Sequence, residues 1–128
     1  AVSELNLKRL QHTPHSGGDR RSWPDDLILE CHKDGYSGHT DVYGRLRWDS
    51  PAPTLTSKCH SISNGRSGHP VQDRAISLRE AASLQTFRDD YVFVGSRQHI
   101  AAQIGNAVPV RLAQALGRQI LACRNGRR

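Results

Sequence analysis

Turn-forming clusters break up the first half of this 128-residue chain so often that no long regular element fits between them. The stretches HSGGDRRSWPDD at 15–26, KDGYSGH at 33–39 and NGRSGHP at 64–70 mix Gly and Pro with short polar residues that bond to their own main chain. That is the chemistry of turns and irregular loops. Only short β-compatible runs remain between them: Asp25–Glu30 (DDLILE), Asp41–Trp48 (DVYGRLRW) and Thr54–Ser57 (TLTS). A small-stranded, loop-rich half is expected.

The second half carries helical signals instead. Ser77 stands three residues before Glu80, the spacing of a capping box, and Ile76 with Ala81 can form the accompanying hydrophobic staple. The spacing predicts a helix from about Leu78 to Phe87, with Leu78, Ala81, Leu84 and Phe87 on one apolar stripe and RDDY at 88–91 closing it. A second helix is expected to open near Val108 with Pro109 in its first turn, where a missing N–H costs nothing. It places Val108, Leu112, Ala115, Leu116 and Ile120 on one side, and the tail 124–128 is expected to fray.

With 36% hydrophobic and 5% aromatic residues, the core must be modest and rest on Leu, Ile, Val and Ala. No stretch approaches the roughly 18 consecutive apolar residues of a membrane span, and AVSELNLKRL is not a secretory signal. A membrane protein and a secreted mini-protein are therefore excluded. Cys31, Cys59 and Cys123 form an odd, widely spaced set, which argues against a disulfide framework and for a reducing intracellular setting. The chain starts at Ala1 and has no Met, as expected either after initiator removal or for a piece of a longer protein.

Eighteen basic residues against twelve acidic give a net charge of +6, and fifteen of the eighteen are Arg. The Arg fork suits phosphates and guanine edges, so nucleic acid is the partner class indicated. Residues 1–77 hold ten basic and nine acidic groups while 78–128 hold eight and three, so the excess sits in the second half.

Cys31-His32 and Cys59-His60, with His39 and His69, raise the question of zinc, but adjacent Cys-His pairs lack the usual spacing of structural sites, and no metal is expected. Neither cysteine lies in an activating context for nucleophilic catalysis. SPAPTLTS at 50–57 is more informative, because its prolines force an extended approach before a small hydroxyl and a compact apolar group, either as an edge strand or as a close contact to a base. QIGNAVP at 103–109 places a Gly-Asn pair, read as a turn, ahead of a helix N-terminus where an anionic group can dock.

Taken in order, these segments resemble the C-terminal part of cytosine-5 DNA methyltransferases. AISLREAASLQTFRDDYVF at 75–93 is similar to that family's ninth motif and QIGNAVPVRLAQALG at 103–117 to its tenth. SPAPTLT at 50–56 resembles the end of the target-recognition region, SNGRSGHPVQDRAIS at 63–77 the stretch leading into the ninth motif, and HSGGDRRSWPDDLILECHK at 15–33 a short recognition region. Arg88 departs from the proline that many members have after the phenylalanine.

The fold expected on this basis is α+β: a loop-rich target-recognition region with short strands over 1–74, then C-terminal helices over 75–128 that complete an α/β methyltransferase domain. The resemblance implies that Thr54 and Leu55 lie against the flipped target cytosine, that Arg79 and Glu80 organise the recognition region, and that Gly105, Asn106 and Ala107 help form the S-adenosylmethionine pocket. Arg45, Arg47, Lys58 and Arg66 flank the dipeptide and are the expected phosphate or guanine contacts. The chain contains no Pro-Cys dipeptide for the family's nucleophile and no Glu-Asn-Val, so no catalytic residue is assigned to it and it is not expected to methylate DNA by itself. Its implied partners are double-stranded DNA and the catalytic half of the enzyme, in the same chain or as a separate subunit, in a bacterial cytoplasm and on the nucleoid when DNA is bound. A stand-alone basic nucleic-acid-binding module and a small zinc-stabilised interaction domain are the alternatives.

Overall fold

The computed structural model describes residues 2–33, 38, 42–124 and 126. Its elements are α1 (Glu4–Gln11), 3-10 turns at Arg20–Ser22, Asp25–Leu27, Glu30–His32 and Ile62–Asn64, then α2 (Leu78–Leu84), α3 (Arg97–Asn106) and α4 (Val110–Arg124).

Among the described residues there is no β-strand, so the expected α+β fold with short strands is corrected to helices and loops. The only ladder elements among these residues are isolated bridges, Arg45 with Gly68 and Gly68 with Ala75. Extended chain becomes a strand only when a neighbour takes its N–H and C=O groups. Residues 25–30 instead close on themselves: Leu27 N–H donates to Pro24 C=O and Ile28 N–H to Asp25 C=O. In the Asp41–Trp48 run, Tyr43 has φ of +59°, which interrupts an extended path, and Asp41 itself lies outside the described residues. At 54–57, Thr56 C=O turns back to accept from Cys59 N–H, while Pro51 and Pro53 have no N–H to offer a partner.

An arginine takes the place of a sheet neighbour. The Arg45 side chain is fully buried, and all five of its N–H donors are engaged. Nε donates to Thr13 C=O, Nη1 to His69 and Gln72 C=O, and Nη2 to Leu10 C=O, at 2.7–3.0 Å, with the second Nη2 donor on the Asp73 carboxylate. Four main-chain carbonyls from α1, its exit and the 69–72 loop are thereby satisfied without a ladder.

Two apolar clusters form the core. One joins Leu10, Trp23, Leu27, Tyr43 and Ile62. The other joins Leu46 and Cys59 from the first half to Ile76, Ala81, Ala82, Ala101 and Ile104, with Leu55, Leu78 and Phe87 packed against it. The second cluster ties the two halves of the chain together through α2 and α3.

The α2 N-terminus is as its sequence predicts. Ser77 Oγ accepts from Glu80 N–H, Glu80 reaches back to Ser77 N–H, and Ile76 and Ala81 are buried in the same cluster. The helix stops at Leu84, three residues short of Phe87, because Thr86 turns into the left-handed region at φ +61°. Helices α1 and α3 were not expected, although Ser3 and Ser96 cap them in the ordinary way by accepting from Asn6 and His99 N–H. Helix α4 opens at Val110, with Pro109 C=O accepting from Ala113 N–H, and none of its residues is buried.

Candidate functional site

Gly105 and Asn106 form the last turn of α3 and not a free turn ahead of the next helix, a correction to the sequence reading. The run Ile100, Ala101 and Ile104 carries the helix through them by packing into the core. Gly105 meets main chain: a Cβ at this position would stand 2.1 Å from Thr56 O and 2.5 Å from Ser57 N. Only a residue without a side chain lets α3 lie directly on the 54–57 loop.

That contact brings together the two motifs that the sequence leaves about fifty residues apart. A cleft of about 310 Å³ is lined by Ala52, Pro53, Thr54 and Leu55 from the loop and by Leu84, Gln85, Gly105, Ala107 and Pro109 from the helices. On its other side the dipeptide shares a smaller hollow of about 20 Å³ with Asn64, Gly65 and Arg66. Thr54 is exposed and Leu55 half-buried against the core, so the loop is anchored by its leucine and presents its threonine. Asn106 is exposed between two residues that line the cleft.

The four basic candidates divide. Arg45 is the buried hub described above and has no donor left for a phosphate or a base, which removes it from the expected DNA contacts. Arg66 beside the dipeptide is largely covered; its Nη1 donates to Gly17 C=O at 2.8 Å and its Nη2 lies 3.6 Å from the Asp19 carboxylate. Arg47 is exposed and its side chain lies over Gly17, where a Cβ would stand 2.3 Å from Nε. Lys58 is exposed, with its N–H donating to Thr56 Oγ1 at 3.3 Å.

Arg21 also belongs to this neighbourhood, though the sequence reading did not single it out. Its exposed guanidinium grips Asp19 with Nη2 at 2.7 Å. That hydrogen bond, against the cost of burying the carboxyl, holds Asp19 down to about 2. Arg21, Arg47 and Arg66 thus gather around the Gly17–Asp19 loop, a closeness to which their spacing in the chain gives no clue.

Arg79 and Glu80 are joints. Arg79 donates to Tyr91 C=O at 3.0 Å and sits 5.8 Å from the Phe93 ring centroid, folding the segment after α2 back onto it. Glu80 accepts from both Nη atoms of Arg74 at 2.7 Å, and this charge-assisted fork lowers its carboxyl to about 2. The loop that leads into α2 is thus clamped to the helix start.

No three His, Cys, Asp or Glu come together as a metal-holding group among the described residues, and His39 lies outside them. Cys59 is buried with its thiol donating to Ala101 C=O, and burial pushes that thiol up. No helix among the described residues is long and apolar enough to cross a membrane.

The model of C-5 cytosine-specific DNA methylases matches residues 3–122. The chain belongs to that family. Similar methylases include the type II methylase M.HgiDII of Herpetosiphon aurantiacus, 48% identical over 124 residues that make up 93% of this chain and 35% of that protein. The type II methyltransferase M.PspPI of Psychrobacter sp. (strain TA137) is 44% identical over 95% of this chain and 30% of its own length. DNA (cytosine-5)-methyltransferase 1A of Oryza sativa subsp. japonica is 39% identical over 93% of this chain and 9% of its own length. The chain thus spans about a third or less of the methylases it matches. Enzymes of this family act on double-stranded DNA and take their methyl group from S-adenosylmethionine. The cleft lies at the small end of the usual range for ligand pockets, about 300–1,000 Å³, with room for one end of such a cofactor. The exposed Asn106 amide offers both a donor and an acceptor for an amino-acid group.

Proposed function

We propose that this chain is the target-recognition and C-terminal portion of a DNA cytosine-5 methyltransferase, either part of a longer enzyme or the smaller subunit of a split one. The observation that carries the reading is the Gly105 contact, which seats Thr54 and Leu55 at the same cleft as Ala107. A loop presented to the target base and a helix end presented to the cofactor must be held at fixed separation if methyl and cytosine are to meet, because misplacement of about 1 Å is costly.

Residues 1–74 choose the DNA site and residues 75–128 complete the catalytic domain. Thr54 and Leu55 lie against the extruded cytosine, and Arg47, Lys58 and Arg66 draw in phosphates; extrusion costs a few kcal/mol of stacking that such contacts must offset. Arg79 and Glu80 hold the recognition loops on the helices. Gly105, Asn106 and Ala107 form part of the pocket for S-adenosylmethionine, which when bound supplies the methyl group. The thiolate that attacks cytosine, absent here as a Pro-Cys, comes from the catalytic half. The apolar side of α4, exposed at Leu112, Leu116 and Ile120, seats against that half. The setting is a bacterial cytoplasm.

The test combines this chain with a catalytic half that carries Pro-Cys and Glu-Asn-Val and follows labelled methyl transfer to cytosine C5 in duplex DNA. Either half alone is expected to be inactive and the pair active; a pair that transfers nothing overturns the proposal. Asn106→Ala is expected to weaken cofactor binding in the active pair.

A further inference from the structure

Two consecutive residues at the end of α2 hold the connection between α3 and α4 with four hydrogen bonds. The buried Gln85 side chain donates from Nε2 to Ile104 C=O at 2.9 Å and Ala107 C=O at 3.1 Å, and the main-chain carbonyl of Gln85 accepts from Val110 N–H at 3.2 Å. Thr86 Oγ1 accepts from Arg111 N–H at 2.9 Å. The two carbonyls lie on either side of Gly105-Asn106. The two N–H groups belong to the first turn of α4, where a helix has no internal acceptors for its donors. Pro109, at the head of that helix, has no side-chain acceptor to cap it, and Thr86 supplies one from another element.

Thr86 does so in a conformation that its side chain disfavours. Its N–H donates to Ser83 C=O at 2.9 Å, and Phe87 N–H donates to Ala82 C=O at 3.0 Å. This is the closure in which the left-handed residue is ordinarily glycine. At φ +61° a β-branched residue is strained, and its hydroxyl makes a bond to Arg111 N–H that glycine could not make.

We propose that Gln85 and Thr86 are positioning residues that set the 105–107 segment for the cofactor. The proposal rests on the assignment of Gly105, Asn106 and Ala107 to the S-adenosylmethionine pocket. Gln85 fixes the carbonyls that bracket those residues, and Thr86 fixes the helix that leaves them.

The test uses the chain combined with its catalytic half, with S-adenosylmethionine affinity measured by calorimetry and duplex DNA affinity by anisotropy without cofactor. Gln85→Glu keeps the shape but faces the two carbonyls with an acceptor, and it is expected to weaken cofactor binding at least about tenfold, since both Nε2 hydrogen bonds are lost and one buried hydrogen bond is already worth about that factor. Thr86→Ala is expected to weaken it by about threefold to tenfold and Thr86→Ser to restore it, while the DNA affinity of the Thr86 variants stays within about twofold, since the hydrogen bonds of Thr86 run to Arg111 and Ser83 and not to the recognition loop. If Gln85→Glu fails to fold, the Thr86 pair carries the test alone. Unchanged cofactor affinity in Gln85→Glu and Thr86→Ala, with a loss in Asn106→Ala, overturns the positioning role and leaves the pocket assignment standing. Equal losses of cofactor and DNA affinity in Gln85→Glu and Thr86→Ala also overturn it, because they mark general loosening. No loss in Asn106→Ala overturns the assignment beneath it.

Discussion

Arg45 carries five N–H donors on a rigid planar fork, and every one of them finds an acceptor inside the fold. Nothing in the run GRLRW distinguishes it from Arg47 two positions later, which stays exposed. Alternation puts both on one side of a strand, but Tyr43 at φ +59° and the single bridge to Gly68 leave no strand on which that rule operates. The two arginines part because four carbonyls converge on one of them. Arg45→Lys offers three donors from a point charge in place of five from a fork. It strands at least two buried acceptors, so a loss on the order of 3 kcal/mol is expected by urea denaturation of the chain. Arg47→Lys is expected to stay within about 0.5 kcal/mol, as an exposed change does. Equal effects at the two positions would count against the buried hub.

Two helical glycines give opposite expectations at the scale of elements. Intrinsic propensity alone favours Ala over Gly inside a helix by about 1 kcal/mol. At Gly117 in α4 an added Cβ meets nothing within 4 Å, so Gly117→Ala is expected to gain about that amount in thermal unfolding of the chain alone. At Gly105 the Cβ would stand 2.1 Å from Thr56 O, and main chain cannot swing aside as a side-chain tip can. Gly105→Ala is therefore expected to cost about 1–3 kcal/mol net of propensity and to push the 54–57 loop off α3. Sequence periodicity finds α2 and α4 because their caps or apolar stripes are local. It misses α3 because Gly105-Asn106 also reads as a turn, and only packing of Ala101 and Ile104 continues the helix through it. The end of α2 is likewise hidden, since a threonine in the left-handed region is explained by Arg111 N–H, which lies twenty-five residues further on.

For the molecule as a whole, α4 is the unfinished surface. It runs fifteen residues, buries none of them and exposes Leu116 by 54% and Ile120 by 68%. A helix with that stripe gains nothing from it without a partner. Leu116→Asp is expected to leave the melting of the chain alone within about 0.5 kcal/mol, as an exposed substitution does, yet to abolish assembly with the catalytic half in a gel-filtration or pull-down measurement. Assembly unchanged by Leu116→Asp would show that the partner seats elsewhere.

By itself the sequence determined what depends on near neighbours: the Ser77 and Glu80 capping box, the stripe of α4, the absence of a Pro-Cys, and the ordered motifs that place the chain in its family. The tertiary structure decided what depends on distant groups meeting. It replaced expected strands with loops held by Arg45, sorted four basic candidates by their burial, and set Thr54 and Leu55 beside Ala107 through the bare backbone of Gly105. The physical reason is one of range. Caps and stripes are satisfied within a turn or two, whereas a buried donor takes whichever carbonyls the folded chain brings to it.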